Sequence, residues 1–305
     1  MRTVLVGIAL GVAGLPAPNR GDGQALAVRG PSGWETWWQG DAAPARWAAP
    51  LPAVADRVEW RQAVPGVEWG EFSLSGDGEA FRVRVIVARL DPALLEFKLV
   101  KPVDGLVLAG RWAVDEAPED AIFAVNAGQF TDDKPWGWLV QDGIERQAPG
   151  RGPLAPGVVV DGSGVVRLVP PDSLGVARAS TRMSFQSYPT LLSGDGEVPR
   201  PLREDGLGVD RTHRDARLAL GLQRDGKVLI AMTRFEALGG VLANIPLGLT
   251  TPEMAAVMGA LGAQTAVLLD GGISCQMLIR SPGDTEIWTG WRKVALGLVA
   301  MPRVR

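Results

Sequence analysis

The stretch 250–279, TTPEMAAVMGALGAQTAVLLDGGISCQMLI, reads as a capped helix, a short turn and a buried strand that stops at a carboxylate. Thr250 or Thr251 caps the helix, Pro252 occupies its first turn, where an N–H would have no helical partner, and Glu253 stands beside it. The pattern runs to about Leu261 and Gly262 stops it. A strand over 265–269 follows directly, then Asp270, Gly271, Gly272 and, after Ile273, Ser274. An Asp at a strand end is rigidly placed, and paired glycines remove side chains that would hinder a substrate. Asp-Gly is also a hairpin signal, so the motif alone divides evenly between turn and site.

Outward from this stretch the chain reads mostly as strands. FRVRVIVARL (81–90) alternates apolar and basic residues with the period of a half-exposed strand, and 94–100 continues as another. Residues 112–117 are a short helical candidate, and AIFAV (121–125) is a buried strand. The segment 158–169 folds as a hairpin turning on Asp161-Gly162-Ser163-Gly164; 217–222 and 227–232 form a second around Arg224-Asp225-Gly226. Strands with a few interspersed helices predict an α+β domain of layered, mostly antiparallel sheets.

Two further segments are over-specified for packing. In AVNAGQF (124–130) an apolar strand ends on Asn126, whose amide can donate to and accept from sugar hydroxyls, and Gly128 permits a close approach. Asn and Gly are equally the usual residues of a strand-end turn. In THRDARLALGL (212–222) Arg217 enters a strand that is otherwise uncharged. A guanidinium there suits bidentate phosphate binding, or reads as a surface arginine.

Composition narrows the partners. The 305 residues are 46% hydrophobic and 21% charged, which suits one catalytic domain with a small extension. With 31 Lys and Arg against 34 Asp and Glu the formal charge is −3, so no broad positive field marks a nucleic-acid or anionic-membrane partner. Cys275 is the only cysteine and His213 the only histidine, which excludes a disulfide framework, a cysteine-ligated zinc and a multi-histidine metal cluster. No ligand spacing points to a metal, and no cofactor is called for. At the N-terminus Arg2 precedes an apolar run over 4–15, and Ala25-Leu26-Ala27 has the small-x-small form of a leader cleavage site. This predicts a signal peptide over 1–27, export to the periplasm or beyond, and no stable membrane span after processing. Residues 28–70 are rich in Pro, Ala and Gly and carry Trp34, Trp37, Trp38, Trp47, Trp60 and Trp69. They are expected to form an extension lying over a catalytic domain at 71–305, fixed by buried indoles rather than displaying them to sugar.

Taken in order, VNAGQF (125–130), FQSYPTLLSGDG (185–196), DARLALGLQRDGKVLIAMT (215–233) and LGLTTPEMAAVMGALGAQTAVLLDGGISCQMLI (247–279) resemble the phosphodiester glycosidase domain family. That family includes the mannose 6-phosphate uncovering enzyme and bacterial exopolysaccharide-biosynthesis relatives. VPGVEWGEFSL (64–74) resembles its usual entrance, so the likeness extends over about 60–301. The chain departs from the pattern at Ile273, where many members carry a third glycine, and at Gln129 and Cys275.

The resemblance implies hydrolysis of a sugar-1-phosphodiester at the anomeric carbon, with a phosphorylated carbohydrate or glycan as partner. Asp270 is then the carboxylate at the anomeric centre and Arg217 the cation on the phosphate. Asn126, Thr190 and Ser274 would hold hydroxyls, with Gly128, Thr233, Gly271 and Gly272 around them. Asp195 or Glu236 would supply a second carboxylate. Two other classes stay open: a non-catalytic cell-envelope module that binds anionic polysaccharide, and a serine hydrolase built on Ser187 or Ser274 with His213. No G-x-S-x-G elbow supports the latter, and His213 reads as a dispensable surface-loop residue.

Overall fold

The computed structural model describes residues 24–76, 82–100, 111–131, 134–236 and 247–303. Residues 1–23 of the expected leader over 1–27 lie outside them.

Strands are numbered along the chain and fall into three main sheets, antiparallel throughout. The largest runs in the order β15 (Thr190–Leu192), β18 (Ala263–Leu268), β16 (Leu218–Gln223), β17 (Val228–Phe235), β5 (Arg82–Leu90), β4 (Val67–Ser75), β1 (Ala25–Gly30), β2 (Gly33–Gln39), with β3 (Arg61–Val64) also on β4. A second sheet runs β20 (Asp284–Trp288), β19 (Met277–Ser281), β7 (Phe123–Asn126), β21 (Gly297–Pro302), β6 (Leu95–Val100). The third is β11 (Ile144–Gln147), β10 (Leu139–Gln141), β14 (Thr181–Gln186), β12 (Gly157–Asp161), β13 (Val166–Val169). A two-stranded ribbon, β8 (Phe130–Thr131) and β9 (Lys134–Pro135), completes the set. Helices are few: the single turns α1 (Pro52–Ala55), α2 (Leu174–Ala177) and α3 (Arg200–Arg203), and the longer α4 (Thr251–Ala260). The fold is the layered α+β arrangement expected.

Both faces of the centre of the large sheet are buried. On one, Ile86, Leu220 and Val267 meet Phe123 and Val125 of the second sheet and Val158 and Phe185 of the third. On the other, Val85, Ala219 and Leu268 lie under Met254, Val257 and Met258 of α4. Burial on both faces explains why β16 and β18 read as nearly continuous apolar runs rather than alternating ones. It also explains α4, which is buried on every side and so lacks a polar face.

Four expectations change. The boundary at 70 falls inside β4, which pairs with β5 from Val67 opposite Leu90 to Ser75 opposite Arg82. The tryptophan-rich segment does not lie over the domain; its strands complete the main sheet, and Leu26, Val28, Trp38 and Trp47 bury in the core beneath α4. Burying those large side chains is the physical reason the segment is integrated. Ala25-Leu26-Ala27, read as the end of a leader, is the start of β1, with Leu26 fully buried. The candidate helix over 112–117 is a single 3-10 turn, Val114–Glu116, cut short ahead of Pro118.

Candidate active site

In the β16–β18 ladder Ala219 stands opposite Leu268 and Leu220 opposite Val267. Continuing that register by two residues brings Arg217 opposite Asp270, just past Leu269, whose N–H donates to the Leu218 carbonyl at 2.8 Å. Opposed residues on adjacent antiparallel strands share a face, so the chain delivers a guanidinium and a carboxylate to one place from two rigid strand ends.

Arg217 is heavily braced. Its N–H donates to Thr233 Oγ1 at 2.7 Å, and the Thr233 N–H donates back to the Arg217 carbonyl at 2.8 Å. Nε donates to the Leu249 carbonyl at 2.8 Å and Nη2 to the His213 carbonyl at 2.6 Å. Burial lowers the guanidinium's pKa, opposed by the charge of Asp215. The loop that leads into β16 is itself pinned to α4. Arg214 makes two hydrogen bonds, at 2.7 and 2.8 Å, to the fully buried Glu253 carboxylate. Glu253 also closes a capping box with Thr250.

Asp270 is mostly buried, and burial pushes its pKa up to about 6. The Ser274 hydroxyl and the Arg292 charge oppose the rise, and the Asp215 charge adds to it. Its Oδ2 is buried with no hydrogen-bond partner among the described residues. Buried polar atoms are ordinarily satisfied, so this oxygen is an acceptor left available at the cleft. Asp215 also lines the cleft, as does the exposed Asp210. Burial raises the pKa of Asp215 against the pull of Arg217, and its Oδ2 lies 3.7 Å from His213 Nε2. The glycines after Asp270 permit this crowding. A Cβ on Gly271 would stand 2.7 Å from the Ala216 carbonyl, and one on Gly272, whose φ is +60°, would stand 2.9 Å from Asp215 Oδ2.

These groups line a cleft of about 620 Å³, a size that fits a small ligand. Asp270, Gly271 and Leu268 form part of its lining with Asp215, Arg217 and His213, and Gln129, Trp136, Arg151 and Tyr188 complete the polar and aromatic sides. Among the described residues no group of three or more His, Cys, Asp or Glu is placed to hold a metal ion, and no helix is long and apolar enough to cross a membrane.

Several expected site residues do other work. Asn126 does not offer its amide to a ligand: it is fully buried, its Nδ2 donating to the Asp270 carbonyl at 2.6 Å and its Oδ1 accepting from the Gln276 N–H at 3.1 Å. Gly128 serves packing, since a Cβ there would come within 2.2 Å of the Gln186 carbonyl. Thr233 is fully buried and spent on the Arg217 backbone. Thr190 donates its hydroxyl to the Leu154 carbonyl at 3.1 Å and lines a separate depression with Pro153 and Leu192. Asp195 is exposed in a left-handed turn at φ +59°, outside the cleft. Glu236 is held by Ser73 Oγ at 3.0 Å and Arg84 at 3.8 Å, also outside it. Ser274 reaches the site through Asp270.

Sequence reasoning missed Asp215, although it stands two residues before Arg217 and so shares its strand parity. His213, read as a surface-loop residue, is exposed, and it also lines the cleft. The serine-hydrolase reading fails on geometry: Ser187 is fully buried and donates to the Leu268 carbonyl at 2.5 Å, Ser274 bonds Asp270, and neither is paired with His213.

Residues 119–301 match the family described as phosphodiester glycosidase. Among solved structures, the chain is similar to the zebrafish N-acetylglucosamine-1-phosphodiester alpha-N-acetylglucosaminidase catalytic domain, auto-inhibited by its pro-peptide. The TM-score is 0.60 at 15% identity, over 84% of this chain and 87% of that one. A hypothetical protein from Synechocystis aligns with a TM-score of 0.55 at 16% identity, over 82% of this chain and 65% of that one, so the chain spans less than two thirds of that protein. At such identities the likeness is one of fold. No curated protein sequence matches the chain.

Proposed function

The chain belongs to the phosphodiester glycosidase family, and from that we propose that it is an exported hydrolase that cleaves a sugar-1-phosphodiester at the anomeric carbon, in cell-envelope or exopolysaccharide metabolism. The zebrafish relative is named for an N-acetylglucosamine-1-phosphodiester, which is a substrate of this class. The observation that carries the reading is that Arg217, Asp215 and Asp270 line one cleft, with the charge of Asp215 acting on both of the others.

The bond to be broken already has a stabilised anion as its leaving group, so strong general-acid help is less necessary than with ordinary glycosides. The site instead has to meet positive charge at the anomeric carbon and negative charge on the phosphate. Asp270, ionised above about pH 6, does the first, and Arg217 the second. The hydroxyl of water ends on the anomeric carbon, the bonding pair departs on the phosphate oxygen, and the remaining proton ends on solvent or the phosphomonoester. The apolar run over 4–15 supports export, and a cut on the N-terminal side of Ala25 leaves β1 whole.

Incubation with a panel of sugar-1-phosphodiesters in ¹⁸O-water tests this, with plain glycosides as controls. Label in the released sugar is the expected result. Label in the phosphate would make the protein a phosphodiesterase, and binding without turnover would make it a glycan-binding module.

A further inference from the structure

Arg217 has only part of its donor capacity left for a phosphodiester. Two of its five N–H groups are committed to the carbonyls of Leu249 and His213, and Asp215 offsets part of its charge. A diester anion presents two non-bridging oxygens, each able to accept more than one hydrogen bond, which leaves room for a second cationic donor. Among the described residues lining the cleft, Arg151 is the only other one with a permanent positive charge.

Arg151 is exposed, and no ion pair to it is found among the described residues, yet the loop that carries it is braced by hydrogen bonds. The brace is Gln186, buried at the end of β14. Its Oε1 accepts from the N–H groups of Trp138 at 2.9 Å and Gly150 at 2.8 Å, and its Nε2 donates to the carbonyls of Gly150 at 3.1 Å and Ala155 at 2.7 Å. All four hydrogen-bonding positions of that amide are used, three of them on the segment 150–155. Thr190 holds the same segment from the other side, its N–H and hydroxyl both donating to the Leu154 carbonyl, at 2.7 and 3.1 Å. Surface loops are ordinarily left to water; this one is fixed at both ends while its arginine is displayed on the cleft.

We propose that Arg151 is the second phosphate ligand of the site and sets its preference for anionic over neutral leaving groups, with Gln186 as its positioning residue. The proposal rests on the reading of the cleft as a sugar-1-phosphodiester site.

Binding and turnover of Arg151→Ala and Arg151→Lys test it, with inorganic phosphate, a sugar-1-phosphate and the free sugar as titrants. Arg151→Ala weakens phosphate and sugar-1-phosphate binding about tenfold or more and leaves free-sugar binding unchanged. Its kcat/KM falls comparably on a phosphodiester and stays level on a neutral activated glycoside, and Arg151→Lys recovers part of the loss. Unchanged phosphate binding in Arg151→Ala, or equal losses for phosphate and free sugar, would overturn the assignment. If wild type binds sugar-1-phosphate through Arg151 but turns over no phosphodiester, the hydrolase reading fails while the anion site stands.

Discussion

The side-chain amide of Asn126 donates to the main-chain carbonyl of Asp270 at 2.6 Å, and the same side chain accepts from the Gln276 N–H at 3.1 Å. One residue at the end of β7 therefore clips both ends of the 270–276 turn. The carboxylate of Asp270 is fixed by strand β18 behind it and, through Asn126, by a different sheet. No hydroxyl-binding capacity is needed to explain Asn126, because its position demands both a donor and an acceptor.

Asn126→Ala strands a buried carbonyl and a buried N–H together, and each orphan costs about 1–3 kcal/mol. The variant should lose about 2–4 kcal/mol of stability in urea denaturation. Because the damage falls on the placement of Asp270 and not on substrate contacts, kcat should fall further than KM rises. A rise in KM with kcat unchanged would return Asn126 to the substrate.

Asp270 should weaken the fold at neutral pH. Its ordinary pKa of 3.8 rises to about 6 in the folded protein, so the native state disfavours the ionised form. That penalty is absent below about pH 3.8, grows between 3.8 and 6, and is complete above 6. Asp270→Asn should therefore melt higher than wild type at pH 7.5, by at most about 3 kcal/mol, while the two converge near pH 4. An equal difference at both pH values would mean that the gain came from packing.

The parts of this site that were legible in sequence are those where chemistry and periodicity coincide. The strand over 265–269 and the helix before it announce themselves by apolar pattern, cap and stop, and they carry Asp270 to its place. Arg217 stood out as a charge at the mouth of an uncharged strand. What could not be read was the register between β16 and β18, which depends on long-range pairing and not on either strand's own residues. Without it Asp215 was one acidic residue among many, and Asp195 and Glu236 were equally plausible. Arg151 gave no local signal, since its loop is ordered by a glutamine 35 positions away. Of the six tryptophans over 34–69, Trp38, Trp47 and Trp69 are buried and Trp34, Trp37 and Trp60 only partly so, and pattern alone does not distinguish an anchored extension from strands that complete a sheet.

The acid limb of kcat/KM should have its midpoint near 6, the value to which burial raises Asp270. The negative charge of Asp215 contributes to that rise. In Asp215→Asn the residual activity should keep an acid limb, displaced to lower pH, because Asp270 then ionises more readily. A limb that disappears in this variant would transfer the titrating role to Asp215.

The roles of Arg217 and Asp270 separate when the leaving group is changed. If Arg217 holds the phosphate, Arg217→Ala removes a charge-assisted contact and should cost roughly 2–4 kcal/mol of transition-state binding on a phosphodiester. A neutral glycoside with an activated leaving group presents no phosphate, so its slow turnover should change little. If Asp270 serves the anomeric centre, which both substrates share, Asp270→Asn should abolish both activities together while the fold stays intact. The two residues line one cleft at the ends of adjacent strands and both feel the charge of Asp215, so truncating one can disturb the other. Arg217→Lys controls for this: it keeps the charge and part of the packing but loses the planar fork. Its phosphodiester activity should lie between wild type and Arg217→Ala. Equal losses on both substrates in Arg217→Ala, with no recovery in the lysine variant, would make Arg217 a brace for the strand end and leave the phosphate to Arg151.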